Sequence, residues 1–226
     1  MISCLGYGEA MEGPEPEHCC FDDWVDSWST KATKKPTAAK VTASLLEAIT
    51  EAGVADRTVL DVGCGIGDLA IEVVARGATS GTGYDLSSKA IEEARKLATS
   101  RGVGDRMRFE VGDGAKLDLP AADIVVINRV ACCYPDTDNL LDHTLGAARS
   151  VFAITAPVSS GVTGLMNRIW SVLENIGYRL RPRKYGGFRV FIHDLDRIDE
   201  RIRAAGFRRV RHEQRRVVWD LAVYTR

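Results

Sequence analysis

No apolar run in this 226-residue chain approaches the ~20 residues that a membrane-spanning helix needs. The N-terminus lacks a basic stretch followed by an apolar core, so no secretory leader is expected and a cytoplasmic protein is. There is almost no net charge, formally −1, so the total gives no reason to expect nucleic acid as a partner. Internal repeats are absent. The six cysteines lack the separated spacing of a zinc ribbon or finger: they fall as Cys4, the adjacent Cys19 and Cys20, Cys64, and the adjacent Cys132 and Cys133. Neighbouring cysteines make poor disulfide partners for each other, and free cysteines are commonly buried as small hydrophobes, so no metal is expected.

What is present begins at residue 58. Thr58 to Val62 is a short, β-branched apolar run, followed by a turn carrying Gly63, Gly65 and Gly67 and then by a helical pattern from Asp68 to Arg76. Strand, glycine turn and helix place free backbone N–H groups against a ligand that glycine lets come close. The next strand, TSGTGYDLS, ends at Asp85, whose carboxylate is placed to accept from both ribose hydroxyls of an adenosine. A dinucleotide fingerprint counted from Gly63 would need Gly or Ala at position 68. Asp68 stands there instead, and a carboxylate would repel a pyrophosphate.

The D-x-G-x-G-x-G pattern from Asp61 to Gly67 resembles that of class I S-adenosylmethionine-dependent methyltransferases, whose cofactor carries a sulfonium and an ammonium. The resemblance covers about residues 35 to 226. It implies a Rossmann-like, doubly wound, mostly parallel seven-stranded α/β sheet with an antiparallel C-terminal strand. It also implies a cofactor site in which Gly63, Cys64, Gly65 and Gly67 hold the methionyl moiety with Asp61 near its ammonium. Asp85 would bind the ribose and Leu86 the adenine face. Asp113 and Gly114, after the strand Met107 to Val111, would contact the adenine edge, and Asn128 and Arg129 would end the next strand, ADIVVINRV, at the same crevice.

Other elements follow in order: a helix from Pro36 to Glu51, a helix from Ser87 to Arg101 with Ser87 as N-cap, a helix from Leu140 to Arg149, and a strand from Val151 to Thr155 ended by Pro157. Residues 158–187 read as an insertion with an apolar helix from Leu165 to Ile176. Met166, Ile169, Trp170 and Leu173 on it either cover an acceptor or pack on the domain. FRVFIHD, residues 188–194, reads as a further strand; a helix from Leu195 to Ala205, stopped by Gly206, and two closing strands complete the chain.

Charge is unevenly spread. Residues 1–28 hold seven acidic side chains and no Lys or Arg, whereas residues 179–216 hold thirteen basic and five acidic ones. Residues 1–34 are therefore read as an acidic arm, with Phe21, Trp24 and Trp28 at helical spacing forming the apolar face of a lid. CFDDW and RVACCYPD are similar to the N-terminal and post-strand motifs of magnesium-protoporphyrin O-methyltransferases, but Cys133 stands where that group has a histidine, and Trp28 where it has a tyrosine.

Methyl transfer asks mainly for alignment of the acceptor and exclusion of water, with a base where the acceptor needs one. Tyr134 and His193 are the candidate acid-base or orienting groups, and Arg129 and Arg189 the candidate anion holders. The expected acceptor is a small apolar or anionic molecule methylated on oxygen. The alternatives are a magnesium-protoporphyrin substrate, a non-catalytic cofactor-binding module, and an RNA or protein methyltransferase. The missing (N/D)PPY-type motif after the fourth strand counts against base N-methylation.

Overall fold

The computed structural model describes residues 21, 22, 25, 36–181, 187–215 and 218–226. Trp24 and Trp28, most of the 1–34 arm, and Cys4, His18, Cys19 and Cys20 lie outside them. The described elements run α1 (Pro36–Glu51), β1 (Thr58–Val62), α2 (Asp68–Ala75), β2 (Ser80–Asp85), α3 (Ser88–Ser100), β3 (Met107–Val111), β4 (Ala122–Asn128), α4 (Thr137–Ala147), β5 (Ala148–Pro157), α5 (Gly161–Arg179), α6 (Leu195–Ala204), β6 (Arg208–Arg215) and β7 (Trp219–Thr225).

The strands form one seven-stranded sheet in the order β3-β2-β1-β4-β5-β7-β6. β1 to β5 are parallel, and β7 enters antiparallel between β5 and β6. Strand order reverses between β1 and β4, which opens a crevice at their carboxyl ends. The central strands read as apolar runs because both faces are covered. On one face α1, α2 and α3 bury Leu45, Ile49, Leu69 and Ile91 against Val59 and Ile124. On the other, α4 and α6 bury Leu140, Leu141 and Ile198 against Leu60, Val125 and Phe152.

Local chemistry sets the boundaries. Ser87 caps α3, its hydroxyl accepting from the Ala90 amide. The helix expected from Leu140 starts three residues earlier, at Thr137, because the Asp136 side chain accepts from the Asn139 amide and caps it there. Its expected end at Arg149 is also corrected: Ala148 and Arg149 already belong to β5, which continues to Pro157. The insertion helix is longer than the apolar stretch from Leu165 to Ile176, running from Gly161 to Arg179.

Residues 188–194 do not form a strand. Their backbone is tied elsewhere: Val190 exchanges two 2.8 Å hydrogen bonds with the Asn175 carboxamide on α5, and the Phe191 amide donates to the Cys132 carbonyl at 2.8 Å.

Candidate cofactor and acceptor site

The glycine turn after β1 is held by β2. The amides of Gly63 and Cys64 both donate to the Tyr84 carbonyl, at 2.8 and 3.0 Å, and the Gly65 amide donates to Asp85 at 2.8 Å. The second Asp85 oxygen accepts from the Ser87 amide at 2.9 Å. Gly63 and Gly67 both have left-handed φ, and a Cβ at Gly63 would lie 2.3 Å from Val130 Cγ2. Glycine at 63 therefore lets β1 and β4 approach at the switch point.

A pocket opens over this turn. It is lined by Val62, Gly63, Asp85, Leu86, Gly112, Asp113 and Gly114, and by Phe21, Arg129, Val130, Cys133, Tyr134 and Leu140. Asp61, next to Val62 near the carboxyl end of β1, does not line the pocket and is 2% exposed. One of its carboxylate oxygens has no hydrogen-bond partner, and burial, with Asp68 and Asp85 nearby, pushes its pKa up to about 8. Burial also raises Asp68 and Asp85. Arg129 is the only cation among the groups that shift Asp61, and it opposes the rise. Arg129 has φ +62°, its Nε is buried without a partner, and its amide donates to Thr155 Oγ1 at 2.8 Å.

Of the residues singled out from the sequence, Gly63, Asp85, Leu86, Asp113, Gly114, Arg129 and Tyr134 line the pocket. Gly65 and Gly67 shape its turn without lining it. Cys64 points away: its sulfur would lie 2.8 Å from a Cβ at Gly83, inside the core on the α2 and α3 side. The Asn128 carboxamide is spent on structure, donating to Thr42 Oγ1 at 3.2 Å and accepting from Thr155 Oγ1 at 2.8 Å.

His193 is also outside the pocket lining. Its Nε2 is 2.9 Å from the Tyr134 carbonyl, its ring stacks on Phe191, and burial lowers its pKa. The Tyr134 phenol donates to Asp113, at 3.1 and 3.2 Å from its two oxygens. Met166, Ile169, Trp170 and Leu173 do not line the pocket; all four are more than half exposed.

The sequence reading missed Val130, Leu140 and Gly112 as walls. Cys133 and Phe21 it named for other reasons. Cys133 lies 3.4 Å, sulfur to sulfur, from the buried Cys132. Phe21 meets Phe188 edge-on at 5.7 Å, and Asp22 accepts from the Ser87 hydroxyl, so these two residues are tied to the neighbourhood of Asp85. Among the described residues no group of three His, Cys, Asp or Glu side chains is placed to hold a metal ion.

Residues 59–151 match the family model described as a methyltransferase domain. Among characterised relatives, ribosomal protein L11 methyltransferase from Pasteurella multocida (strain Pm70) is 40% identical over 90 residues. That stretch is 40% of this chain and 30% of the relative, so the chain spans under a third of that relative's length.

Solved structures share the fold over nearly the whole chain. Magnesium protoporphyrin IX methyltransferase from Synechocystis PCC 6803, with bound SAH, superposes with a TM-score of 0.68 at 22% identity, covering 91% of this chain and 94% of that one. The cyclase SpnF superposes with a TM-score of 0.68 at 17% identity, covering 91% and 93%. An O-methyltransferase family protein from Burkholderia thailandensis gives a TM-score of 0.67 at 19% identity, covering 89% and 59%. Residues 59–151 thus match a methyltransferase domain, and the chain shares the Rossmann-like fold of these solved structures.

Proposed function

We propose that the chain is an S-adenosylmethionine-dependent methyltransferase that methylates an oxygen of a small, apolar or anionic acceptor, a reading that the match of residues 59–151 to a methyltransferase domain supports. The observation that carries the cofactor assignment is the unmatched buried oxygen of Asp61 beneath the glycine turn. A carboxyl group in that position is costly unless a cation arrives, and an α-ammonium supplies one. The donor set fits the rest of the molecule. Asp85 lines the pocket with both oxygens already oriented by backbone amides, and each retains accepting capacity for a ribose hydroxyl. Arg129 offers its unmatched Nε for a carboxylate. Leu86 offers an apolar side chain for the adenine face, and Asp113 with its neighbouring backbone offers polar groups for the adenine edge.

When bound, S-adenosylmethionine supplies an already activated methyl group on sulfonium. The protein then has only to align the acceptor, exclude water and handle a proton where there is one. Phe21, Val130, Cys133 and Leu140 form an apolar wall on the acceptor side. The two groups with acid-base character are already engaged: the Tyr134 phenol donates to Asp113, and His193 Nε2 meets the Tyr134 carbonyl. An acceptor oxygen that is ionised at neutral pH, a carboxylate or an acidic phenol, needs no base and suits this arrangement. Tyr134 and His193 then position the wall and do not move the proton. The insertion serves the acceptor side through Tyr178, which packs on Phe188 next to Phe21.

The test is incubation with methyl-labelled S-adenosylmethionine and a panel of aromatic and aliphatic carboxylates, phenols, and ribosomal protein. Label recovered in a small organic product, and released by mild alkali where the product is an ester, supports the reading. Label incorporated only into protein overturns it.

A further inference from the structure

Helix α5 is amphipathic, yet its polar side faces the protein. Asn167 donates to the Val158 carbonyl at 2.9 Å and is 3.3 Å from that of Val218, and Asn175 is locked to Val190. Ser171 and Gly164 are its buried residues. A Cβ at Gly164 would lie 2.2 Å from the Ser159 carbonyl carbon, so the helix docks by backbone approach and amide hydrogen bonds.

The apolar stripe faces outward. Val162, Leu165, Ile169, Leu173, Ile176 and Leu180 recur at intervals of three and four, flanked by Met166, Trp170 and Val172, and every one is between 52 and 78% exposed. Nine such side chains present on the order of 1,000 Å² of apolar surface, where an ordinary soluble surface shows patches of a few hundred Å². No charged residue interrupts the stripe.

Charge selects the kind of surface that fits it. Arg168 and Arg179 on α5 and Arg181 just beyond it are exposed, and its single acid, Glu174, is half-buried. Antiparallel pairing with a second copy would bring Arg179 and Arg181 to the partner helix's amino end, which already carries partial positive charge. Parallel pairing would stack the two sets of arginines. An anionic bilayer surface accepts the apolar stripe and the bordering arginines together, and Trp170, at the stripe's edge, suits the headgroup boundary.

We propose that α5 is an interfacial helix by which this protein docks on an anionic lipid surface, with its outward stripe in the headgroup–acyl boundary. This does not depend on methyl transfer. It gives the inverted helix a purpose that neither core packing nor pocket lining does. Through the ring contacts of Tyr178 with Phe188 at 5.3 Å and of Phe188 with Phe21 at 5.7 Å, the docked helix is connected to the pocket wall.

Flotation of the full chain with phosphatidylcholine vesicles, and with vesicles of phosphatidylcholine mixed with phosphatidylserine, tests this. The wild type should float with the mixed vesicles and fall by about tenfold or more on phosphatidylcholine alone or in high salt. Leu165→Glu with Ile176→Glu should lose at least about tenfold on the mixed vesicles, with an unchanged melting temperature showing that the fold is intact. Arg179→Gln with Arg181→Gln should lose binding on the mixed vesicles only. Absence of flotation by the wild type, or equal flotation by the glutamate variant, overturns the proposal. So does a wild-type dimer in sedimentation velocity that the glutamate variant converts to monomer, because a second copy then covers the stripe.

Discussion

Asp61, on β1, and Arg129, the first residue after the neighbouring strand β4, each bury one polar atom that finds no partner among the described residues: a carboxylate oxygen of Asp61 and the Nε of Arg129. On the proposed function, the ammonium of a zwitterionic amino acid group would meet Asp61 and its carboxylate would meet Arg129. The pKa of about 8 means that Asp61 is largely protonated at pH 7 in the free protein. A bound ammonium favours the ionised form, so binding expels the proton. Titration of S-adenosylhomocysteine in buffers of different ionisation enthalpy should show release of up to about one proton at pH 7, declining above pH 8, with affinity rising as pH rises. A binding enthalpy independent of the buffer would contradict this.

The same residue predicts opposite effects on stability and function. Its folded pKa lies above the unfolded value of 3.8, so its favourable contribution is complete below pH 4 and is lost as pH rises through about 8. Asp61→Asn removes that loss. The variant should stabilise the free protein more at pH 8 than at pH 5, while weakening S-adenosylhomocysteine by at least about tenfold. Denaturant titrations at the two pH values, set beside calorimetry, check both halves.

How much of this could be read from the sequence follows from how local each signal is. β1 and β3 stand at their expected residues, and Ser87 caps its helix, because strand periodicity and capping depend on adjacent residues. Asp85 and Asp113 were legible as strand-end acids. Val130 and Leu140 were not, since a side chain becomes a pocket wall only through the pairing of distant strands and the angle of a helix. His193 was misplaced for a related reason: FRVFIHD alternates like a strand, but Asn175 and Cys132 capture its backbone hydrogen bonds first. The apolar pattern of α5 gave its helical state and hid its orientation, because periodicity identifies a face without saying which way it points.

Gly67 offers a test of the turn itself. It combines φ +73° with a Cβ position 2.7 Å from the Phe109 ring and 3.2 Å from Ala94 Cβ. Gly67→Ala should cost about 2 to 4 kcal/mol through left-handed strain and overpacking of the α3 side. Urea unfolding measures it. Gly146→Ala, in α4, has nothing within 4 Å of its Cβ and should be neutral or stabilising.

His193→Ala separates positioning from proton transfer. Burial lowers the imidazole pKa, so the ring is neutral at pH 7, and its Nε2 holds the Tyr134 carbonyl. The variant should lower turnover less than about tenfold and leave the shape of the pH–rate profile unchanged. Loss of the acidic limb of the wild-type pH–rate profile in the variant would instead assign the proton to His193.

The central claim is that Asp85 and the glycine turn form an S-adenosylmethionine site, and calorimetric titration of S-adenosylhomocysteine into wild type and Asp85→Ala tests it most directly. The account predicts micromolar binding to the wild type and loss of at least about a hundredfold in the variant, which forfeits the ribose contact and the 2.8 Å anchor of Gly65 together. Equal affinity in the two proteins, or wild-type binding of a nicotinamide dinucleotide in place of S-adenosylhomocysteine, would contradict it.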